Sequence, residues 1–326
     1  VPGILSFMNQ EAIVVKNLIK RYKKATVNAV DDISFSVNDG EFFAFLGPNG
    51  AGKTTAISIL TTTLSKTSGD VRIAGFDINT HNNDVRKNIG IIFQNPSLDL
   101  NLTAEENIRF HAVLYGLYPF YPVFGMMPKA YKDKVAELAE IIGIGKDMNK
   151  PVKTFSGGTK RKLEILRSLI HNPRILFLDE PTTGLDPASR KNLWQYLKEI
   201  REKNKTTVFL TTHYLEEAEG ADNVVILNYG KIVAQGTPKK IKDSLVKKYV
   251  ALQTEKPEAL RNELQTFNKE FTQEGNTLTV YIQNGGEEVQ NLIKRIQSPL
   301  IDIDVHLPTL EEAYLEIITP KEASNE

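Results

Sequence analysis

Two short segments carry the residue types that phosphate chemistry needs. Gly47-Pro48-Asn49-Gly50-Ala51-Gly52-Lys53-Thr54 has the spacing G-x-x-x-x-G-K-[ST]. Its glycines let the backbone close around phosphate oxygens with successive N–H groups turned inward. A helix starting at the lysine adds its dipole. Lys53 supplies a mobile positive charge and Thr54 a hydroxyl for Mg²⁺, with Thr55 beside it at the helix start. The spacing implies a nucleoside triphosphate. Adenine is favoured over guanine, because the nearest candidate guanine reader, Asn149-Lys150-Pro151-Val152, ends in Val where a carboxylate is required. The second segment, Ile175-Leu176-Phe177-Leu178-Asp179-Glu180, is an apolar strand that delivers two carboxylates at its C-terminal end. Open α/β sheets bind ligands there. Successive strand side chains diverge, so the two acids divide the work. Asp179 suits the Mg²⁺ shell and Glu180 suits a general base facing water.

Elements to position these groups are readable on either side. Glu41–Leu46 is a nearly continuous apolar run, as expected for a strand buried on both faces, and a helix over 53–64 follows the glycine turn. Ile175–Leu178 and Thr207–Leu210 read as strands of the same kind. Pro187–Lys203, with proline in its first turn, reads as the helix between them. Alternating strands and helices predict an α/β domain with a mostly parallel sheet over 11–248. A helical insertion at about 100–170 interrupts it, opening with the capping box Thr103-Ala104-Glu105-Glu106. Residues 249–320 predict a small α+β, ferredoxin-like domain of order βαββαβ with a closing helix over 309–317.

Composition narrows the function classes. Lys+Arg and Asp+Glu both number 40, so no global basic field points to nucleic acid. There is no cysteine, which excludes disulfides, thiolate metal sites and a cysteine nucleophile and fits a cytosolic protein. No run approaches the ~18 apolar residues that span a bilayer. The most apolar candidate, Ile165–Leu178, is broken by Arg167, His171 and Arg174. Val1-Pro2-Gly3 reads as a processing scar or tag remnant ahead of Met8 rather than a secretion signal.

Phe155-Ser156-Gly157-Gly158-Thr159-Lys160-Arg161 lies one helix before the acid pair and resembles the signature loop of ATP-binding cassette proteins. Further markers follow the family's order. Tyr22 is similar to the aromatic that stacks on adenine, and Gln94 to the glutamine that senses Mg²⁺ and meets the coupling region. Gly184-Leu185-Asp186 resembles the loop crossing the dimer interface, and His213 the histidine contacting the γ-phosphate. The resemblance covers about residues 12–248. It implies that ATP·Mg²⁺ is held by the cradle of one copy and Ser156-Gly157-Gly158 of another, in a head-to-tail dimer. Lys53, Glu180 and His213 are then the catalytic groups, and Thr54, Gln94 and Asp179 the Mg²⁺ ligands. The physical logic agrees: a Ser-Gly-Gly turn opening a helix is a second anion site, with bare N–H groups, a hydroxyl and a dipole. Phe155 and Thr159 depart from the family's usual Leu and Gln, while the phosphate-facing Ser-Gly-Gly is intact.

The ending Leu307–Ile317 is similar to that of daunorubicin-resistance-type export ATPases, which implies an exporter. The expected protein is an ATP-hydrolysing subunit on the cytoplasmic face of a membrane, paired with a second ATPase subunit and with separate permease subunits. The competing reading is a soluble cassette ATPase acting on DNA or ribosomes. Such proteins carry a long coiled coil or a second cassette, and neither is visible. Tyr115–Pro128 is aromatic, and its three prolines forbid a regular helix. It is expected either to widen contact with the membrane partner or lipid headgroups, or to pack as a loop on its own subdomain.

Overall fold

The computed structural model describes residues 11–94, 97–283 and 285–318; Val1-Pro2-Gly3 and the Asn95-Pro96 pair lie outside them. The chain opens with β1 (Glu11–Lys20), β2 (Val30–Asn38), β3 (Phe42–Leu46) and α1 (Lys53–Leu60). β4 (Ser68–Ile73), β5 (Phe76–Asp77), α2 (Asn82–Asn88) and β6 (Ile89–Ile92) follow. Three helices come next, α3 (Ala104–Leu114), α4 (Lys129–Ile142) and α5 (Gly157–Leu169). β7 (Ile175–Asp179), α6 (Pro187–Asn204), β8 (Thr207–Thr212), α7 (Leu215–Ala218), β9 (Asn223–Asn228) and β10 (Lys231–Gly236) return to the α/β pattern.

β7 and β8 are buried along their whole length, and β3 from Phe43 onward, because layers cover both faces of their sheet. That sheet has the order β10-β9-β3-β8-β7-β6, with β3 parallel to β8 and β9, and β7 parallel to β8 and β6. Parallel pairing brings four chain segments out at one edge: the Gly47 loop, Gln94, Asp179-Glu180 and His213. One face is covered by a separate antiparallel sheet, β2-β1-β4-β5, which the sequence pattern did not reveal. Phe35 of that sheet stacks on Phe43 at 5.4 Å, and Phe43 on Phe209 at 5.2 Å. Against the other face, Ile92, Leu176, Leu178 and Leu210 share a core with the helical insertion through Tyr131, Leu138, Leu163 and Leu166.

The capping box forms as expected. Thr103 Oγ1 accepts the Glu106 N–H, and the Glu106 carboxylate accepts the Thr103 N–H. Helix α1 stops at Leu60, short of the expected 64. The hydroxyls of Thr61 and Thr63 bond back to the carbonyls of Ile57 and Ser58, and Thr62 sits at φ 60°. Such local side-chain bonds compete with the helix.

The chain divides into two compact units, Val1–Gln235 and Gly236–Glu326. The division falls before α8 (Pro238–Leu245) rather than at the expected 248/249, because α8 packs on α11 (Leu310–Ile318). Between them lie β11 (Lys248–Thr254), α9 (Pro257–Thr266), β12 (Phe271–Glu274), β13 (Thr277–Ile282), α10 (Gly285–Arg295) and β14 (Leu300–His306). Their sheet has the order β12-β13-β11-β14 with antiparallel pairs, the ferredoxin-like arrangement. Leu260 and Leu264 of α9 cover Val250, Leu252, Leu278 and Val280. β14 lies at the sheet edge, and there Ile301, Ile303 and Val305 remain exposed. Among the described residues, no helix is long and apolar enough to cross a membrane.

Candidate functional site

The glycine turn between β3 and α1 is built for close backbone approach. Gly52 sits at φ 107°, and a Cβ there would lie 2.3 Å from the Ala29 carbonyl oxygen. A Cβ at Gly47 would meet the Leu227 carbonyl oxygen at the same distance. No side chain caps the N-terminus of α1, which leaves its first N–H groups for an anion. Pro48, Asn49, Gly50 and Ala51 complete the loop. Lys53 folds back beneath it, only 5% exposed, with Nζ donating to the carbonyls of Gly47 at 2.7 Å and Pro48 at 3.2 Å. Burial pushes the Lys53 ammonium below the usual lysine range, opposed by the charges of Glu180 and Asp179. Thr54 presents its side chain to solvent. Tyr22 is 46% exposed, and its hydroxyl is 3.3 Å from Thr55 Oγ1.

The Glu180 carboxylate gathers the rest. Oε1 lies 3.9 Å from Lys53 Nζ and 3.2 Å from His213 Nδ1, while Oε2 accepts from Gln94 Nε2 at 3.1 Å. Three residues singled out from separate segments thus converge on one carboxylate. Glu180 itself sits at φ 46°, and its N–H donates to the Thr211 carbonyl at 3.0 Å. A non-glycine residue held at positive φ stores strain, and such strain concentrates at working sites. Asp179 points elsewhere, buried, and accepts from the Thr211 hydroxyl. Burial lifts its carboxyl above the ordinary range, against the pull of that hydrogen bond. The Thr54 hydroxyl, the Asp179 carboxylate and the Gln94 amide oxygen are each hard oxygen donors of the kind Mg²⁺ prefers.

Ser156-Gly157-Gly158 opens α5 as expected. Ser156 is its N-cap and accepts the Thr159 N–H at 3.2 Å. A Cβ at Gly158 would lie 2.8 Å from Ser189 Oγ, so α6 packs directly against this turn. Asp186, ending Gly184-Leu185-Asp186, caps α6 by accepting from Ser189 N at 3.0 Å and Ser189 Oγ at 2.6 Å. Among the described residues, no hydrogen bond or ion pair joins Ser156-Gly157-Gly158 to the Lys53–Glu180 cluster. Among the described residues, the two helix-opening turns of one chain are therefore joined by no such contact.

Alignment with known proteins agrees with this layout. The family model described as "ABC transporter" matches residues 30–183. Over 232 residues the chain is 38% identical to the doxorubicin resistance ATP-binding protein DrrA of Mycobacterium tuberculosis, covering 71% of this chain and 67% of that protein. The chain belongs to the ABC transporter ATP-binding family. It is also 35% identical over 277 residues to the Nod factor export ATP-binding protein I of Burkholderia orbicola, covering 84% of this chain and 87% of that protein. Among solved structures, cbiO1 of Clostridium perfringens, part of the ABC transporter complex cbiONQ, superposes with a TM-score of 0.63 at 28% identity, over 71% of this chain and 90% of that one. The ATP-binding cassette MJ0796, solved as a dimer in a post-hydrolysis state with ADP and Pi, gives 0.60 at 27% identity, over 69% and 98%. This ABC subunit is an ATPase related to the multidrug-export type.

Sequence reasoning missed three buried charges in the ABC site. Arg161 donates to the carbonyls of Phe93 and Pro181, and Glu164 accepts the Ser97 N–H. Glu217 accepts from the hydroxyls of Thr182 and Thr212, bridging the segment after Glu180 to the strand before His213. Arg161 lies between two lysines and Glu217 beside Glu216, and no local signal marks the buried member of either run. The aromatic insertion packs in part on its own subdomain: Met127 is buried in the helical core, Tyr118 and Tyr121 lie against it, and the Tyr121 carbonyl accepts from Arg109 Nη1 at 2.6 Å. Phe120, Val123 and Met126 remain exposed, as does Leu114 at 84%.

Proposed function

We propose that this ABC subunit powers export through separate membrane permeases, working as a head-to-tail dimer at the cytoplasmic face of the membrane. The observation carrying the hydrolytic part is the convergence of Lys53, Gln94 and His213 on Glu180. ATP lies along the Gly47–Lys53 turn, its base against Tyr22, its phosphates against the α1 N-terminus and Lys53. Thr54, Asp179 and Gln94 would hold Mg²⁺, which would supply charge neutralisation on the phosphate oxygens. Glu180 takes the proton of a water in line with the γ-phosphate. Lys53, His213 and the second copy's Ser156-Gly157-Gly158 turn stabilise the charge that develops.

Export is supported by the likeness to resistance and Nod-factor-export ATP-binding proteins. The exposed Leu114, Phe120, Val123 and Met126 fit contact with an apolar partner, here the permease. The test is ATP turnover by the purified chain, alone, with its co-expressed membrane partner, and with DNA or ribosomes. Stimulation by nucleic acid or ribosomes, and none by the membrane partner, would replace transport with the competing reading.

A further inference from the structure

Helix α5 begins at the Ser156 turn and lies along the segment that carries Gln94. Arg161, one turn into the helix and 6% exposed, reaches across to two backbones at once. Its Nη1 donates to the Phe93 carbonyl at 2.7 Å and its Nε to the Pro181 carbonyl at 2.8 Å. Phe93 immediately precedes Gln94, and Pro181 immediately follows Glu180. Glu164, fully enclosed, balances the charge at 2.8 Å and accepts the Ser97 N–H at 3.0 Å with its other oxygen. Further along the helix, Arg167 Nη1 donates to the Ser97 carbonyl at 2.7 Å, and Ser168 Oγ to the Ile91 carbonyl at 3.0 Å.

A buried ion pair is a poor route to stability, since desolvation offsets most of its attraction and apolar packing does as well. What a guanidinium offers instead is rigid geometry. Its donors leave a planar fork at fixed angles, so two carbonyls bound to it are held at a fixed separation. We propose that Arg161 is the positioning residue that sets Gln94 against Glu180 and ties both to the Ser156 turn.

This rests on reading Gln94 and Glu180 as catalytic groups, and the experiment separates the two ideas. Wild-type turnover together with an inactive Glu180→Gln chain secures that reading whatever Arg161 does. Two variants then address Arg161. Arg161→Lys keeps the charge opposite Glu164 but loses the fork, and the double variant Arg161→Met, Glu164→Gln removes the buried charges together. For each, kcat, ATP affinity and the thermal melting transition are measured. A misplacement of ~1 Å costs roughly 100-fold in rate. The expected result is therefore a kcat lower by roughly 10- to 100-fold, with ATP affinity within about twofold of wild type and a cooperative melt. A wild-type kcat in either folded variant overturns the proposal, as does ATP affinity that falls in step with kcat. Failure of both variants to melt cooperatively marks Arg161 as structural and overturns it equally.

Discussion

Glu180→Gln changes one oxygen and no volume, yet it alters every contact at the centre of the site. As the general base, Glu180 contributes about 10²–10⁴ in rate, or roughly 3–5 kcal/mol of barrier. Binding should move the other way. The carboxylate lies 3.9 Å from the Lys53 ammonium. At an effective dielectric of about 20 such a pair is worth about 4 kcal/mol before desolvation is subtracted. Removing the negative charge frees Lys53 for the triphosphate. If only about 1 kcal/mol of that attraction is transferred, ATP binds roughly fivefold tighter. The variant should therefore release phosphate at least about 100-fold more slowly at saturating ATP·Mg²⁺ while binding ATP as well as wild type or better. It should also accumulate as an ATP-dependent dimer in size-exclusion chromatography. Wild-type phosphate release by Glu180→Gln would refute the assignment of the base. A tenfold loss of ATP affinity would show instead that Glu180 merely holds the pocket together.

Lys53→Ala should weaken ATP binding by about 10- to 100-fold in nucleotide titrations, the worth of a charge-assisted hydrogen bond; unchanged affinity would remove Lys53 from the phosphate site. His111 is buried against Arg167 and His171, and burial drives its pKa down to about 3. Its folded pKa thus lies below the unfolded value near 6.5, so stability is intact above that value and falls as pH drops from about 6.5 toward 3. At pH 5 this group alone should cost about 2 kcal/mol, and His111→Gln should show a smaller acid-induced drop in urea melts; identical drops would contradict the sign. Leu114→Lys on the exposed patch should leave stability within about 0.5 kcal/mol while weakening co-purification with the membrane subunit. Full co-purification would remove the patch from that interface.

The legible parts of this protein are those whose physics is local. The glycine turn announces itself because a phosphate cradle needs its residues consecutively, and the Thr103 box because both its bonds close within four residues. The tail's strand and helix order was readable for the same reason, although its ends moved by a few residues. Contacts across the chain were hidden. Gln94 and Glu180 are 86 residues apart, and Arg161 is 68 residues from the Phe93 carbonyl it holds. A buried arginine in a run of lysines carries the same letters as an exposed one. The antiparallel sheet escaped notice because β1 is irregular. Its pairing with β2 shifts register within Val15–Leu18 and again by Lys20, and Asn17 sits at φ 48°. That breaks the two-residue alternation by which a strand is recognised. In α1, apolar periodicity overran the real end because a hydroxyl's competing bond to a carbonyl leaves no trace in hydropathy.

The edge strand β14 has a consequence for how this protein keeps to itself in a crowded cell. An open edge with Ile301, Ile303 and Val305 uncovered is a template on which foreign strands, or other copies, can polymerise. Asp302 and Asp304 alternate with those side chains. When two such edges meet antiparallel about Ile303, each Asp302 faces the other copy's Asp304. A two-residue slip of either copy sets Asp302 or Asp304 against its own counterpart. Like charges directly opposed weaken pairing. The aspartates therefore oppose edge-to-edge pairing, and neutralising both should raise the chain's tendency to aggregate.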